Sequence, residues 1–232
     1  MPSTSRGCST AGVLAFALAL FASMTLCADS YWKCKDGTGS SVVSDSGSSR
    51  RDGVIDGSGK CVWAREDDRG FFLTFRNGGS VLIPKTEDVE FPKGFDMEIF
   101  FSCDFDAICA TAFACLFCTG ALYEDGISVM VNKEGAVLVN LNGLSRHYYG
   151  LVPSAKIQSK KDTRLRVRYD LERVTLWKDG TYITSYPTEG RIAYKKGTWR
   201  LGSNDNYPFT GNIYYATMRG LDEDGAPQAE SA

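Results

Sequence analysis

Three arginines at alternate positions are the residues of this chain whose type and spacing most directly suggest chemistry. Arg164, Arg166 and Arg168 are each followed by an apolar residue. Side chains alternate across a strand, so the three guanidinium groups are expected on one outward face, about 7 Å apart. Guanidinium forks bind sulfate and carboxylate oxygens, and a sulfated or sialylated glycan would suit this arginine stripe. The alternative is a solvated face that protects an edge strand from pairing.

Two loops combine aromatic rings with polar groups, as a site for a neutral sugar requires. Their candidate ligand-binding residues are His147, Tyr148 and Tyr149 in the first loop, and Asn204, Asp205 and Tyr207 in the second. The oxygens of Asn204 and Asp205 could also hold Ca²⁺, although no metal or other cofactor is predicted. Asn and Asp equally favour tight turns, so a purely structural role remains open. His147 is the only histidine, and a catalytic role is not expected of it.

Carboxylate pairs that could hydrolyse a glycosidic bond are poorly represented. Asp96 and Glu98 share a strand face, but Phe101 stands where a third acid of the Glu-x-Asp-x-x-Glu pattern belongs. No nucleophile elbow accompanies His147. The chain is therefore predicted not to be an enzyme, and a glycoside hydrolase is kept only as a distant third hypothesis.

The cysteines predict an oxidising compartment. Two of the eight fall within the first 28 residues, which leaves six. These six are predicted to form disulfides: Cys34, Cys61, Cys103, Cys109, Cys115 and Cys118. We expect Cys34 to pair with Cys61 and the others among themselves, since an even count suits a disulfide framework. The alternatives are a zinc site made by Cys103, Cys109, Cys115 and Cys118, and a redox Cys-x-x-Cys at 115–118.

The chain divides into four predicted segments. Residues 1–28 have the basic, apolar and small-residue regions of a cleaved signal peptide, so a secreted or cell-surface protein without stable membrane insertion is expected. Residues 29–67 form a Gly/Ser-rich extension, which needs the Cys34–Cys61 clip because it has few apolar residues. Residues 68–222 form the folded domain, and the acidic tail 223–232 is predicted to be disordered.

Short alternating runs predict an all-β fold. The runs at 165–169 and 174–177 are followed by the hairpin signal Lys178-Asp179-Gly180, and a second hairpin joins 127–131 to 136–141. Further strands are predicted at three places, namely 71–75, 81–83 and 97–101. Turn signals every 8–12 residues or so favour a two-sheet antiparallel β-sandwich of the jelly-roll kind.

Four motifs carry a resemblance to a known family. They are Gly-Ser-Val-Leu-Ile-Pro at 79–84, Phe-Asp-Met-Glu-Ile-Phe-Phe at 95–101, Val-Thr-Leu-Trp-Lys-Asp-Gly at 174–180, and Leu-Gly at 201–202 followed by Phe-Thr-Gly-Asn-Ile at 209–213. In this order they resemble a concanavalin A-like lectin domain of the laminin G type, over roughly residues 68–222. The chain has Thr163-Arg164 where that family often has Trp-His. The resemblance implies two antiparallel sheets and a glycan or protein ligand.

Charge and composition limit the classes of partner that this protein is expected to bind. The net charge is −2, which makes a nucleic acid a poor partner for an exported protein. Two hypotheses remain. The first is a lectin-like module that binds glycans, with anionic ones favoured by the arginine stripe. The second is an adhesion module that binds a cell-surface or extracellular protein and has no sugar site.

Overall fold

The computed structural model describes residues 29–57, 59–84, 89–108, 113–120, 126–142, 148–192, 198–204, 206–222 and 224–226. The predicted signal peptide therefore lies outside the described residues, as do Cys109, His147 and Asp205 and most of the predicted tail. Within the described ranges, no helix is both long and apolar enough to cross a membrane.

The described residues form eighteen strands and two single turns of 3₁₀ helix, at Phe105–Ala107 and Pro153–Ala155. The strands are β1 Asp29–Trp32, β2 Val42–Val43, β3 Gly53–Ile55, β4 Cys61–Glu66, β5 Gly70–Phe75, β6 Val81–Ile83, β7 Phe95–Cys103, β8 Phe113–Cys118, β9 Gly126–Asn132, β10 Val137–Asn142, β11 Tyr148–Val152, β12 Thr163–Tyr169, β13 Arg173–Lys178, β14 Thr181–Pro187, β15 Trp199–Leu201, β16 Ser203–Asn204, β17 Tyr207–Pro208 and β18 Gly211–Gly220. The predicted all-β class is confirmed.

Two antiparallel sheets make up the fold, as predicted. Sheet I has the strand order β14-β13-β12-β7-β18-β5-β4, and β1 pairs with β18 beside β5. Sheet II has the order β11-β10-β9-β8-β15-β6-β3-β2. The segment 29–67 contributes strands to both sheets, because β1 and β4 belong to sheet I, and β2 and β3 to sheet II.

One hydrophobic core is formed by residues of both sheets. Its largest fully buried side chains include Trp32, Trp199, Tyr169, Phe75, Phe95, Phe101, Phe117 and Phe209. On β12 the alternation is the predicted one, since Leu165, Val167 and Tyr169 are at most 1% exposed and the arginines between them point outward. The same alternation sets the outer faces of both sheets.

Strand β14 continues through Pro187, which pairs with Arg173 of β13. Because β14 is the edge of sheet I, a residue without an N–H is tolerated there.

Gly202 links the core to the outer surface of sheet II, between β15 and β16. Its φ is +92°, and an added Cβ would lie 2.2 Å from the Phe75 ring. Glycine is therefore required by both the backbone conformation and the space. This tight turn sets the position of Ser203 and Asn204.

The described cysteines are free thiols in this structure, so the predicted disulfides stay a prediction. They are Cys34, Cys61, Cys103, Cys115 and Cys118, all buried. Burial raises the thiol pKa of both Cys61 and Cys103 to about 12. Burial, and then the electrostatic effect of Cys61, raise the thiol pKa of Cys34. Cys34 and Cys61, which were predicted to form a disulfide, are therefore neighbours. A buried thiol with a raised pKa is a weak nucleophile.

Candidate functional site

A polar cleft of about 370 Å³ opens where the ends of several strands meet. It is lined by Asp56, Lys60, Asn77, Gly78, Ser80, Arg200, Ser203, Asn204 and Pro208. Two cations, one carboxylate and several amide and hydroxyl groups thus face a single space. Such a lining offers hydrogen bonds to a polar ligand and a net positive charge to an anionic one.

Arg200 reaches the cleft because of its place on β15. Its neighbours Trp199 and Leu201 are 1% and 0% exposed and belong to the core, so Arg200 projects from the opposite face of sheet II. Its cross-strand partners are Leu82 on β6 and Cys118 on β8. Arg200 therefore lies at the middle of the outer face of sheet II.

The β16–β17 hairpin forms the wall of the cleft nearest to Arg200. The Oδ1 atom of Asn204 accepts hydrogen bonds from the backbone N–H groups of Asn206 and Tyr207, at 3.1 and 2.9 Å. The Oγ atom of Ser203 accepts one from the N–H of Phe209 at 2.8 Å. Asn204 thus has the turn-forming role that the sequence left open, and its side chain also lines the cleft.

A second, more open groove adjoins the cleft and has a volume of about 450 Å³. Its lining consists of Thr38, Gly39, Ser40, Ser41, Ile55, Asp56, Gly57, Gly59, Cys61, Val62 and Trp63. The half-buried Trp63 is fixed by its Nε1–H, which donates to the carbonyl oxygen of Ser40 at 2.7 Å. Asp56 lines both spaces. The two sites therefore share a wall.

The predicted arginine stripe lies on the outer face of sheet I, where each guanidinium has a partner within the protein. Arg166 forms a fork with Asp96, whose Oδ1 lies 2.8 Å from its Nε. The same guanidinium lies 4.9 Å from the centre of the Trp177 ring. Arg168 donates to the carbonyl oxygen of Gly225. The structure thus confirms the direction of the stripe and adds partners that the sequence did not indicate.

Arg164 and a group of mutually tilted aromatic rings complete this face. The Arg164 guanidinium lies 5.1 Å from the centre of the Phe100 ring. Phe100 contacts Tyr214 and Tyr215, with centroids 4.6 and 5.6 Å away, because a β-bulge places both tyrosines near it. Tyr215 donates its hydroxyl hydrogen to Glu98. Glu98 is therefore part of a structural network.

The two predicted sugar loops are placed far apart. Tyr148 begins β11, at one edge of sheet II, whereas Asn204 follows β15 near its middle. Four strand spacings separate β11 from β15, about 19 Å. Tyr207 packs edge-on against Phe113, with ring centroids 6.4 Å apart. Of the predicted ligand-binding residues that the structure describes, Asn204 alone lines the cleft.

Most of the site residues were missed by the sequence analysis, among them Asp56, Lys60, Trp63 and Arg200. A charged residue between two large apolar ones, as in Trp199-Arg200-Leu201, was an available signal for an outward arginine. Lys60 and Trp63 lay in and beside a segment rich in Gly and Ser, whose strand pairings no local pattern revealed. In the described part of the chain, no three His, Cys, Asp or Glu residues are grouped as a metal site.

Comparison with known proteins finds similarity in structure alone. Neither a protein-family model nor a curated sequence matches this chain. Domain 4 of AbnA, a GH43 extracellular arabinanase from Geobacillus stearothermophilus, solved with arabinotriose, superposes with a TM-score of 0.61 at 16% identity. The match covers 87% of this chain and 95% of that domain.

Two further solved structures share the fold. The receptor-binding domain of botulinum neurotoxin D has a TM-score of 0.59 at 8% identity, covering 90% of this chain and 50% of the toxin chain. Botulinum neurotoxin type C, whose cell entry depends on two ganglioside molecules, has a TM-score of 0.58 at 11% identity, covering 84% and 48%. At these identities the likeness shows the β-sandwich fold, and the laminin G assignment stays a prediction.

Proposed function

We propose that this protein is a secreted, non-catalytic carbohydrate-binding module, and that its site is the polar cleft beside Arg200. The observation that carries the proposal is the meeting of Lys60 and Arg200 with the side-chain amide of Asn77 and the hydroxyl of Ser80 around one cleft. Amide and hydroxyl groups pair with sugar hydroxyls, and the two cations favour a sugar that bears a carboxylate or a sulfate.

The structural neighbours support this class of function. The arabinanase domain was solved with arabinotriose, and the type C neurotoxin is described as interacting with gangliosides. A sandwich of this shape is therefore used elsewhere to hold glycans. A fold alone does not determine function, so the weight of the proposal rests on the lining of the cleft.

Binding without catalysis fits the carboxylates of the described residues. Among the described residues that line the cleft and the groove, Asp56 is the one carboxylate, whereas glycoside hydrolysis generally requires a pair. Asp96 and Glu98, the pair considered from the sequence, are engaged with Arg166 and Tyr215 on the other sheet. We therefore assign the cleft to recognition.

The test is a glycan array probed with the intact protein and with two matched variants, at low and high salt. The double variant Lys60→Gln/Arg200→Gln removes both cations of the cleft. The triple variant Arg164→Gln/Arg166→Gln/Arg168→Gln removes the stripe on sheet I. We expect the wild type to bind acidic glycans, the cleft variant to bind them about tenfold more weakly, and high salt to weaken binding.

The two variants separate the possible sites. Loss of binding in the stripe variant alone would move the site to sheet I. A wild-type protein that binds no glycan on the array would refute the proposed function.

A protein-binding role is the second candidate, and the outer face of sheet I favours it. Tyr182 is 58% exposed and lies against Trp177, with ring centroids 6.4 Å apart, beside Arg166. Tyrosine, tryptophan and arginine are the residues most enriched in interface hot spots. If the array is silent, cross-linking through a photoreactive group at the exposed position 181 should capture an extracellular partner, and adding Tyr182→Ala to the same protein should lower its recovery.

A further inference from the structure

The aromatic groove beside the cleft has the chemistry of a second sugar subsite. Trp63 presents a half-buried indole whose orientation is held by the Nε1–H bond to Ser40. Ile55 and Val62 add apolar surface, and Thr38, Ser40 and Ser41 add hydroxyl or backbone groups. An indole face next to polar groups suits a pyranose ring, which has apolar CH faces and polar edges.

The groove contains no lysine or arginine among its lining residues, whereas the cleft contains Lys60 and Arg200. The cleft is therefore suited to a negatively charged group, and the groove to a neutral one. This difference predicts the order of units in a ligand that occupies both.

Asp56 connects the two spaces. It follows β3, and its backbone N–H donates to the carbonyl oxygen of Ser80 at 2.9 Å, which fixes the residue at the junction. Its half-exposed side chain lines both the cleft and the groove. A carboxylate in this place can accept hydrogen bonds from hydroxyl groups of two adjacent sugars.

We propose that the cleft and the groove are two subsites of one site, which takes an oligosaccharide with an acidic sugar next to a neutral one. The acidic sugar lies between Lys60 and Arg200, and the neutral sugar lies on the Trp63 indole. Asp56 bridges the two. This inference rests on the proposed function and names its ligand class.

Tryptophan fluorescence offers a direct test, because the indoles differ in exposure. Trp32 and Trp199 are 0% and 1% exposed, so Trp63 and Trp177 are the indoles that a ligand can reach. The probes are sialyllactose, N-acetylneuraminic acid and lactose, which represent the acidic–neutral pair and its two parts. We expect sialyllactose to bind about tenfold more tightly than either part and to change the fluorescence.

Three variants locate the signal. Trp63→Phe should abolish the fluorescence change, whereas Trp177→Phe, on the outer face of sheet I, should retain it. Thr38→Trp places a large side chain at an exposed position of the groove wall and removes no core atoms. It should reduce the affinity for sialyllactose to that for N-acetylneuraminic acid.

The outcomes separate this inference from the proposed function. Equal affinities for sialyllactose and N-acetylneuraminic acid, with no change at Trp63, would leave the cleft as a glycan site and overturn the second subsite. If none of the three probes binds, both the inference and an acidic-sugar site in the cleft are wrong. Binding of lactose alone, with a change at Trp63, would assign the groove to neutral sugars and overturn the acidic order.

Discussion

The outer faces of the two sheets differ in how their polar groups are satisfied. On sheet I, Arg166 has Asp96, Arg168 has Gly225, and Tyr215 has Glu98. On sheet II, the amide nitrogen and oxygen of Asn140 are buried and have no hydrogen-bond partner. The polar groups of sheet I named above satisfy one another, while the outer face of sheet II keeps a buried amide that has no partner among the described residues.

This contrast teaches that a row of charges in a sequence does not by itself mark a binding site. The stripe at positions 164–168 was the most prominent charge pattern, and its arginines are held by partners up to 70 residues away in sequence. The cations of the cleft are far apart in the sequence, since Lys60 precedes β4 and Arg200 is the central residue of β15.

The largest expected effect concerns the glycine that positions the cleft. Gly202→Ala would place a Cβ 2.2 Å from the ring of the buried Phe75 and force a positive φ on alanine. Overpacking and backbone strain together should lower the free energy of unfolding by about 3 kcal/mol.

Gly180→Ala is the matched control at the edge of sheet I. Gly180 also has a positive φ, +78°, but a Cβ there would meet nothing within 4 Å. A loss of about 1 kcal/mol is expected. Urea denaturation compares the two variants, and equal losses would mean that backbone strain alone explains both.

Breaking the sheet I network should have the next largest effect. Arg166→Leu leaves the carboxylate of Asp96, with its side chain 8% exposed, without its guanidinium fork. A loss of about 2 kcal/mol is expected, since Arg166 itself is partly exposed and the pair is partly screened. Arg164→Leu should cost about 0.5 kcal/mol, because only its contact with Phe100 is lost. Thermal unfolding distinguishes them, and a larger loss for Arg164→Leu would contradict this ranking of the two contacts.

Removing the unmet amide on sheet II should stabilise the protein. Asn140 is 0% exposed and lies on the same face as the small apolar cluster of Cys115, Cys118, Met130 and Leu138. Asn140→Leu eliminates two unpaired buried groups, so the free energy of unfolding should rise by about 1 kcal/mol.

Asn132→Leu is the control, and it is expected to lower the free energy of unfolding where Asn140→Leu raises it. The Oδ1 atom of Asn132 accepts hydrogen bonds from the N–H groups of Glu134 and Ala136, at 3.1 and 2.8 Å. This variant should lose about 1 kcal/mol. Differential scanning calorimetry gives both signs, and a destabilised Asn140→Leu would show that the amide is satisfied in solution.

The smallest expected effect is a loss of stability at alkaline pH, and it involves Tyr215 on sheet I. Burial and the hydrogen bond to Glu98 raise the pKa of the Tyr215 hydroxyl above its ordinary value of 10.0. The folded state therefore favours the neutral phenol. The resulting stability is complete below pH 10 and is lost as the pH rises through the higher folded-state pKa.

In the Tyr215→Phe variant, the free energy of unfolding should fall less steeply with pH above pH 10. Burial also raises the pKa of Tyr169, to about 12, so part of the fall should persist in the variant. Chemical denaturation across the alkaline range provides the measurement. An unchanged slope would mean that Tyr215 is not held in its neutral form.

Local patterns were enough to predict much of the fold. The alternation at 165–169 placed three residues in the core, and the turn at 178–180 joined β13 to β14 as expected. These features depend on neighbours a few residues apart. The two-sheet class followed from the spacing of the turns.

The site could not be predicted in the same way. Arg200 lines the cleft because β15 lies between β6 and β8, and this pairing joins strands about 80 to 120 residues apart in the sequence. Trp63 and Asp56 line the same groove, although Trp63 belongs to β4 of sheet I and Asp56 follows β3 of sheet II. Asn204 was found from its turn chemistry, which local sequence does encode.

The position of β18 has a consequence for how the protein reaches its folded state. Residues near the end of the described chain form a strand that pairs with β1, β5 and β7, and Asp29 lies opposite Arg219. Sheet I therefore cannot be completed until almost all of this chain has been synthesised. Closing contacts over such sequence separations is slow, and until then unpaired strand edges are exposed. Correct folding therefore requires that β18 pairs with β1, β5 and β7 before their exposed edges pair with another chain.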